Sequence, residues 1–134
     1  MNNEKIKKYV NMFNTVLNNI NETILLNIEN NIVIQSYVGT IKNIIRDSPD
    51  ELIFIFIKNI YSNQEYKQNI LSGDDKFFIN NSYENVTNDD NMIKLFKSCW
   101  IILSDESKIY IKNAMKTLIN ISSKYIEMQC EMAK

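Results

Sequence analysis

Four aspartates, two cysteines and a serine–lysine cluster are the residues of this chain whose types could support chemistry. Asp74-Asp75 and Asp89-Asp90 border one stretch of turn formers and offer oxygen ligands to a hard cation. Their spacing departs from the calcium loop of an EF-hand, which alternates its ligands and sets glycine at the sixth position, and helix capping accounts for both pairs. Cys99 would need an activating base or an electropositive site to act as a nucleophile, and Lys97 or a helix end is all the neighbourhood supplies. Its place between Phe96 and Trp100 reads as packing. Ser104 and Ser107 beside Lys108 have the types of a serine–lysine pair, but Ser104 is accounted for as a helix cap. The chain has no histidine and two glycines. The commonest general base, the commonest transition-metal ligand and the glycine-rich phosphate loop are therefore all missing. The expectation is no catalytic residue, no metal site, no cofactor and no small-molecule substrate: a protein that is not an enzyme.

The elements that would position these residues read as helices, because few glycines and a single proline leave few breaks in the backbone. Ile6, Val10, Phe13, Leu17, Ile20 and Ile24 recur at steps of three and four, with Tyr9 and Val16 widening the stripe, which predicts a first amphipathic helix. Asn30-Asn31 predicts a break. A second helix follows with Ile34, Tyr37, Val38, Ile41, Ile44 and Ile45 on one side, and Gly39 within it marks close approach of a neighbour. Ser48-Pro49-Asp50-Glu51 predicts a capping box, with Ser48 as cap and Pro49 at the first helical position. The following Leu52-Ile53-Phe54-Ile55-Phe56-Ile57 would pass for a buried strand on propensity alone. The cap decides for a helix, apolar on nearly every side and buried at the centre of the bundle. A short helix over 64–71 ends at Gly73 as a left-handed C-cap. Asp74 to Phe78 reads as a turn and Asn80 to Asp90 as a surface loop. Met92, Ile93, Leu95, Phe96, Cys99 and Trp100 then form an amphipathic helix, with Trp100 placed in the core. Ser104-Asp105-Glu106 starts the last helix, whose apolar line runs through Ile111, Met115, Leu118 and Tyr125.

Composition bounds the class. At 134 residues the chain suits one domain, 1–134, able to bury a core without disulfides or metals. Net charge is −1 with both signs mixed throughout, and the Lys5, Lys7, Lys8 cluster is too short for the basic stripe of a nucleic-acid binder. No apolar run is long enough to span a bilayer, and Met1 to Lys8 lacks the apolar region of a secretory signal. Cys99 and Cys130 read as reduced thiols of an intracellular, cytoplasmic protein. The abundance of isoleucine and asparagine is what an AT-rich genome would encode.

The segment Leu95 to Lys108, continuing to Leu118 and Tyr125, together with Ser48-Pro49, Phe54, Phe56-Ile57 and Asp74-Asp75-Lys76-Phe77-Phe78, resembles small all-helical proteins of giant DNA viruses. The resemblance covers about two-thirds of the chain and rests on spaced apolar residues and caps, so it transfers no functional residue. It implies a viral protein acting in the host cytoplasm or the virion. A helical viral protein of this size is also similar in kind to Bcl-2-like modulators of host signalling, although the chain carries no clear groove motif.

These readings converge on an all-α single-domain irregular bundle of about five to six helices. The expected function is a non-enzymatic interaction or structural protein with a protein partner or itself, as a homodimer or part of an assembly. Ile6, Val10, Phe13 and Leu17 form the candidate interface, since a terminal helix is easily lent to a partner; the same stripe would otherwise close the monomer core. The alternative is a modulator that captures a partner's amphipathic helix in a groove.

Overall fold

The computed structural model describes residues 2–28, 30–73 and 90–133. Every regular element among them is helical: α1 (Asn2–Asn27), α2 (Ile32–Asp47), α3 (Glu51–Phe56) running into a π-helical turn (Ile57–Tyr61), α4 (Gln64–Ser72), α5 (Asp90–Ile102) and α6 (Asp105–Met132). The fold is an all-α bundle, as the helical spacing of the apolar residues requires.

The two longest helices, α1 and α6, pack on each other more extensively than any other pair and run antiparallel, the C-terminus of α1 meeting the N-terminus of α6. The α1 stripe supplies Val10, Phe13 and Ile20, and α6 supplies Ile111, Leu118, Ile119 and Ile121. Phe13 meets Phe56 of α3 edge-on, with ring centroids 5.2 Å apart, an arrangement that ring quadrupoles favour. Trp100 and Leu103 join this core, whereas Ile34, Val38 and Cys99 make a smaller cluster beside it with Ile24, Leu25 and Ile28.

Local signals explain most boundaries. Asn30 takes a left-handed φ of 61°, which asparagine tolerates better than most residues, and Asn31 caps α2 by accepting from the Ile34 N–H at 3.1 Å. Asn63 caps α4 through the Tyr66 N–H in the same way. Gly73 ends α4 at φ 71°, the left-handed cap expected of it. Ser104 caps α6, its Oγ accepting from the Ser107 N–H at 3.1 Å.

Three expectations are corrected. Ser48 does not cap α3: its N–H donates to Ile44 O and closes α2, while α3 begins at Glu51 after a Pro49-Asp50 turn, with no side-chain cap. Asn14 holds that turn instead, donating Nδ2 to Pro49 O at 3.0 Å. The Leu52–Ile57 run is helical, as expected, but not central. Leu52, Ile53 and Phe56 face the core while Phe54 and Ile55 are exposed, because α3 lies at the margin and offers one face inward. The π-helical turn then brings Ile57, Ile60 and Tyr61 together against the core, and Tyr61 Oη shares a 2.8 Å hydrogen bond with Ser123 Oγ of α6. Gly39 marks no close approach among the described residues: a Cβ there meets none of their atoms within 4 Å beyond its own helix backbone and chain neighbours. Gly39→Ala is therefore expected to stabilise the protein by about 0.5–1 kcal/mol, by lowering the backbone entropy of the unfolded chain; thermal unfolding should show a raised midpoint. The expected turn at 74–78 and the loop from Asn80 lie outside the described residues.

Candidate binding site

Where α1, α2, α3, the π-helical turn, α5 and α6 converge they leave a cavity of about 350 Å3. Its walls are almost wholly apolar. Leu17, Ile20 and Ile24 come from α1, Val38 and Ile41 from α2, Phe56 from α3, Ile60 from the π-helical turn, Trp100 from α5 and Leu118 from α6. No Asp, Glu, Lys or Arg is among the described lining residues. Tyr37 at 37 % and Ile55 at 43 % are the most exposed members of the described lining, although each is more covered than open.

Polar groups at the wall come from Asn21, Asn59, Tyr37 and Cys99. Asn21 is 3 % exposed, and its Nδ2 has no hydrogen-bond partner among the described residues. A buried amide donor in that state carries an uncompensated desolvation cost. Cys99 is buried in the small cluster with Ile34 and Val38, and burial pushes its thiol above the ordinary value of 9.0. Burial raises the Tyr37 phenol as well. Both groups stay neutral at physiological pH, so the described wall carries no charge.

The raised Cys99 thiol has a consequence for stability. A folded state that holds the proton more tightly than the unfolded chain is favoured fully below pH 9.0 and loses that advantage as pH rises through the folded value. Urea midpoints should hold up to about pH 8.5 and fall from there towards about pH 10, and Cys99→Ala should flatten the slope.

The sequence-selected residues are distributed as follows. Val10 and Phe13 lie in the core at 2 % and 1 % exposure, and Ile6 and Leu17 are half-buried against it, Leu17 also lining the cavity. Within the monomer the stripe packs into the core that α3 and α6 share, the role the sequence offered for it beside that of an interface. Asp74, Asp75 and Asp89 lie outside the described residues, and Asp90 opens α5. No group of three or more metal-ligating side chains occurs among the described residues. Cys99 and Cys130 are free thiols, the first buried and the second exposed. Ser104 and Ser107 are brought together by capping: Ser104 Oγ donates to Ser107 Oγ at 2.9 Å, and Asn27 Nδ2 donates to the same Ser107 oxygen at 2.9 Å. Among the described residues no helix is long and apolar enough to cross a membrane.

Asn27 brings two exposed apolar groups to one end of the bundle. Besides Ser107 it reaches the Ser104 N–H, which donates to its Oδ1 at 3.1 Å. The α1–α2 turn, with Leu26 at 81 % and Ile32 at 77 % exposure and Val33 beside them, thus lies at the same end as Ile101 and Ile102 before α6. The cavity and this apolar end are both products of tertiary contact, and neither appears in any single stretch of sequence. A sequence signal for Asn21 did exist: it stands four residues after Leu17 and three before Ile24, inside the apolar stripe. Asn14 occupies the equivalent place one heptad earlier.

Compared with protein-family models, curated proteins and solved structures, the chain matches none. The fold and its sites define an all-α bundle with a neutral apolar cavity and an exposed apolar end.

Proposed function

We propose that the protein works by contact rather than by catalysis, as an interaction or structural protein that associates with itself through one end of its bundle. The observation that carries this reading is the exposure of Leu26, Ile32, Val33, Ile101 and Ile102, which flank the Asn27 tie between α1 and the start of α6. Scattered exposed apolar residues are ordinary, but several gathered at one end mark a surface that gains by being covered. Two copies meeting end to end about a twofold axis would cover it symmetrically. A viral origin, suggested by the sequence resemblance, would suit an assembly component of this kind.

Sedimentation equilibrium over a range of protein concentrations tests this. The wild-type chain is expected to form dimers, and a Leu26→Lys, Ile102→Lys double variant to sediment as a monomer with an unchanged helical circular dichroism spectrum. A wild-type chain that remains monomeric at about 100 μM, weaker than any working homodimer, ends the proposal.

The groove-binding alternative draws on the apolar cavity. A partner helix anchors through several side chains spaced along i, i+3, i+4 and i+7, whereas a space of about 350 Å3 lined by six elements suits a shorter occupant. The end-to-end reading is accordingly preferred.

A further inference from the structure

We propose that the cavity between α1, α2, α3, α5 and α6 is a binding site for a small neutral amphiphile: an apolar body of about ten heavy atoms carrying one hydrogen-bond acceptor, such as a ketone or ester carbonyl. Size comes first. A cavity of about 150 Å3 lined by Leu, Ile and Phe holds a benzene molecule, so the 350 Å3 here takes on the order of ten to fifteen heavy atoms by proportion. It also falls in the range of ordinary small-molecule pockets.

Chemistry comes second. The lining of Ile, Leu, Phe and Trp side chains recognises hydrocarbon and nothing more specific. Asn21 supplies the specific element. It is a polar side chain almost fully removed from solvent, it lies in the cavity wall, and its Nδ2 donor is without a partner among the described residues. That donor is itself covered, so it reaches the cavity only when the amide turns about its terminal bond, and a carbonyl or ether oxygen bound there would then satisfy it, the usual role of a single polar group in an apolar pocket. Ligand charge is disfavoured in both signs, because no Lys or Arg among the described lining could pair with a carboxylate and no Asp or Glu with an amine. Entry is available beside Tyr37 and Ile55, the most exposed members of the described lining. The site is separate from the apolar end proposed for self-association, so either can fail without the other.

Trp100 is the single tryptophan of the chain and lines this cavity, so its emission reports occupancy directly. The probes are 2-nonanone, n-butylbenzene of the same heavy-atom count, and nonanoate. Saturable change with 2-nonanone is expected, with butylbenzene about tenfold weaker, the value of one neutral hydrogen bond, and nonanoate without effect. Asn21→Leu is expected to bring the two neutral probes to equal affinity, and Val38→Phe, which fills the space, to abolish both responses while circular dichroism confirms a folded chain. Because the comparison of ketone and hydrocarbon uses the wild-type protein, the proposal can be decided even if a variant fails to fold. It is overturned if neither neutral probe moves Trp100, if both bind the wild type equally, or if an amphipathic helical peptide saturates the response where the small probes do not.

Discussion

Truncating Phe13 to alanine is expected to destabilise the protein by about 3–5 kcal/mol, the usual cost of deleting a fully buried aromatic ring. Phe13 is 1 % exposed, and it stands where α1 meets both Phe56 of α3 and the α6 side of the core. The loss has two parts: the transfer free energy of the ring, and the cavity left because three elements cannot all close in at once. The edge-on contact with Phe56 adds about 0.5–1.5 kcal/mol beyond buried area. A domain of this size has about 5–15 kcal/mol of total stability, so the variant should be only marginally folded at 37 °C. Urea unfolding followed by Trp100 emission is the measurement, with Met12→Ala as its control. Met12 is the exposed neighbour of Phe13 and should change the midpoint by less than about 0.5 kcal/mol. A Phe13→Ala loss below about 1.5 kcal/mol would contradict the packing described.

Asn27→Ala is expected to cost about 1–3 kcal/mol, a large effect for a partly exposed polar side chain. One amide makes three bonds. It donates to Thr23 O at 2.8 Å and to Ser107 Oγ at 2.9 Å, and it accepts from the Ser104 N–H. The first holds its rotamer against α1, and the other two tie α1 to the capping turn of α6. Loss of the side chain leaves the Ser104 N–H without its acceptor and weakens the fit of the Ser104–Ser107 cap. Hydrogen exchange should therefore accelerate at the Ser104 and Ser107 amides before it does at the centre of α6. Uniform acceleration along α6 would mean that Asn27 acts on global stability alone. Asn19, exposed on the same helix, should tolerate alanine without loss.

How far the sequence could be read depended on whether a feature was local. The first helix, the break at Asn30-Asn31, the Gly73 cap and the Ser104 cap each follow from residues within one or two turns of one another, and periodicity or capping chemistry finds them. Ser48-Pro49-Asp50-Glu51 misled because the same residues can close one helix or open the next. The α2 carbonyl of Ile44 claimed the Ser48 N–H, and the turn is held by Asn14, thirty-five positions away. Phe54 and Ile55 misled because an unbroken apolar run does not reveal which face an element will bury. The cavity was out of reach for a stronger reason: six elements build it, and each contributes residues that any packed helix would carry. In a chain so rich in asparagine, Asn14, Asn21 and Asn27 differ from their neighbours by position in the apolar stripe or by distant partners, not by type.

The antiparallel pairing of α1 with α6 sets an order in time as well as in space. Val10 and Phe13 leave the ribosome early, yet the Ile111 and Leu118 side of the core that covers them follows about 100 residues later. At roughly 5–20 residues per second, the side of the α1 stripe that α6 covers stays open for about 5–20 s after α1 is made. During that interval the nascent chain carries an apolar helix face that the finished protein does not, and such transiently open surface is prone to association.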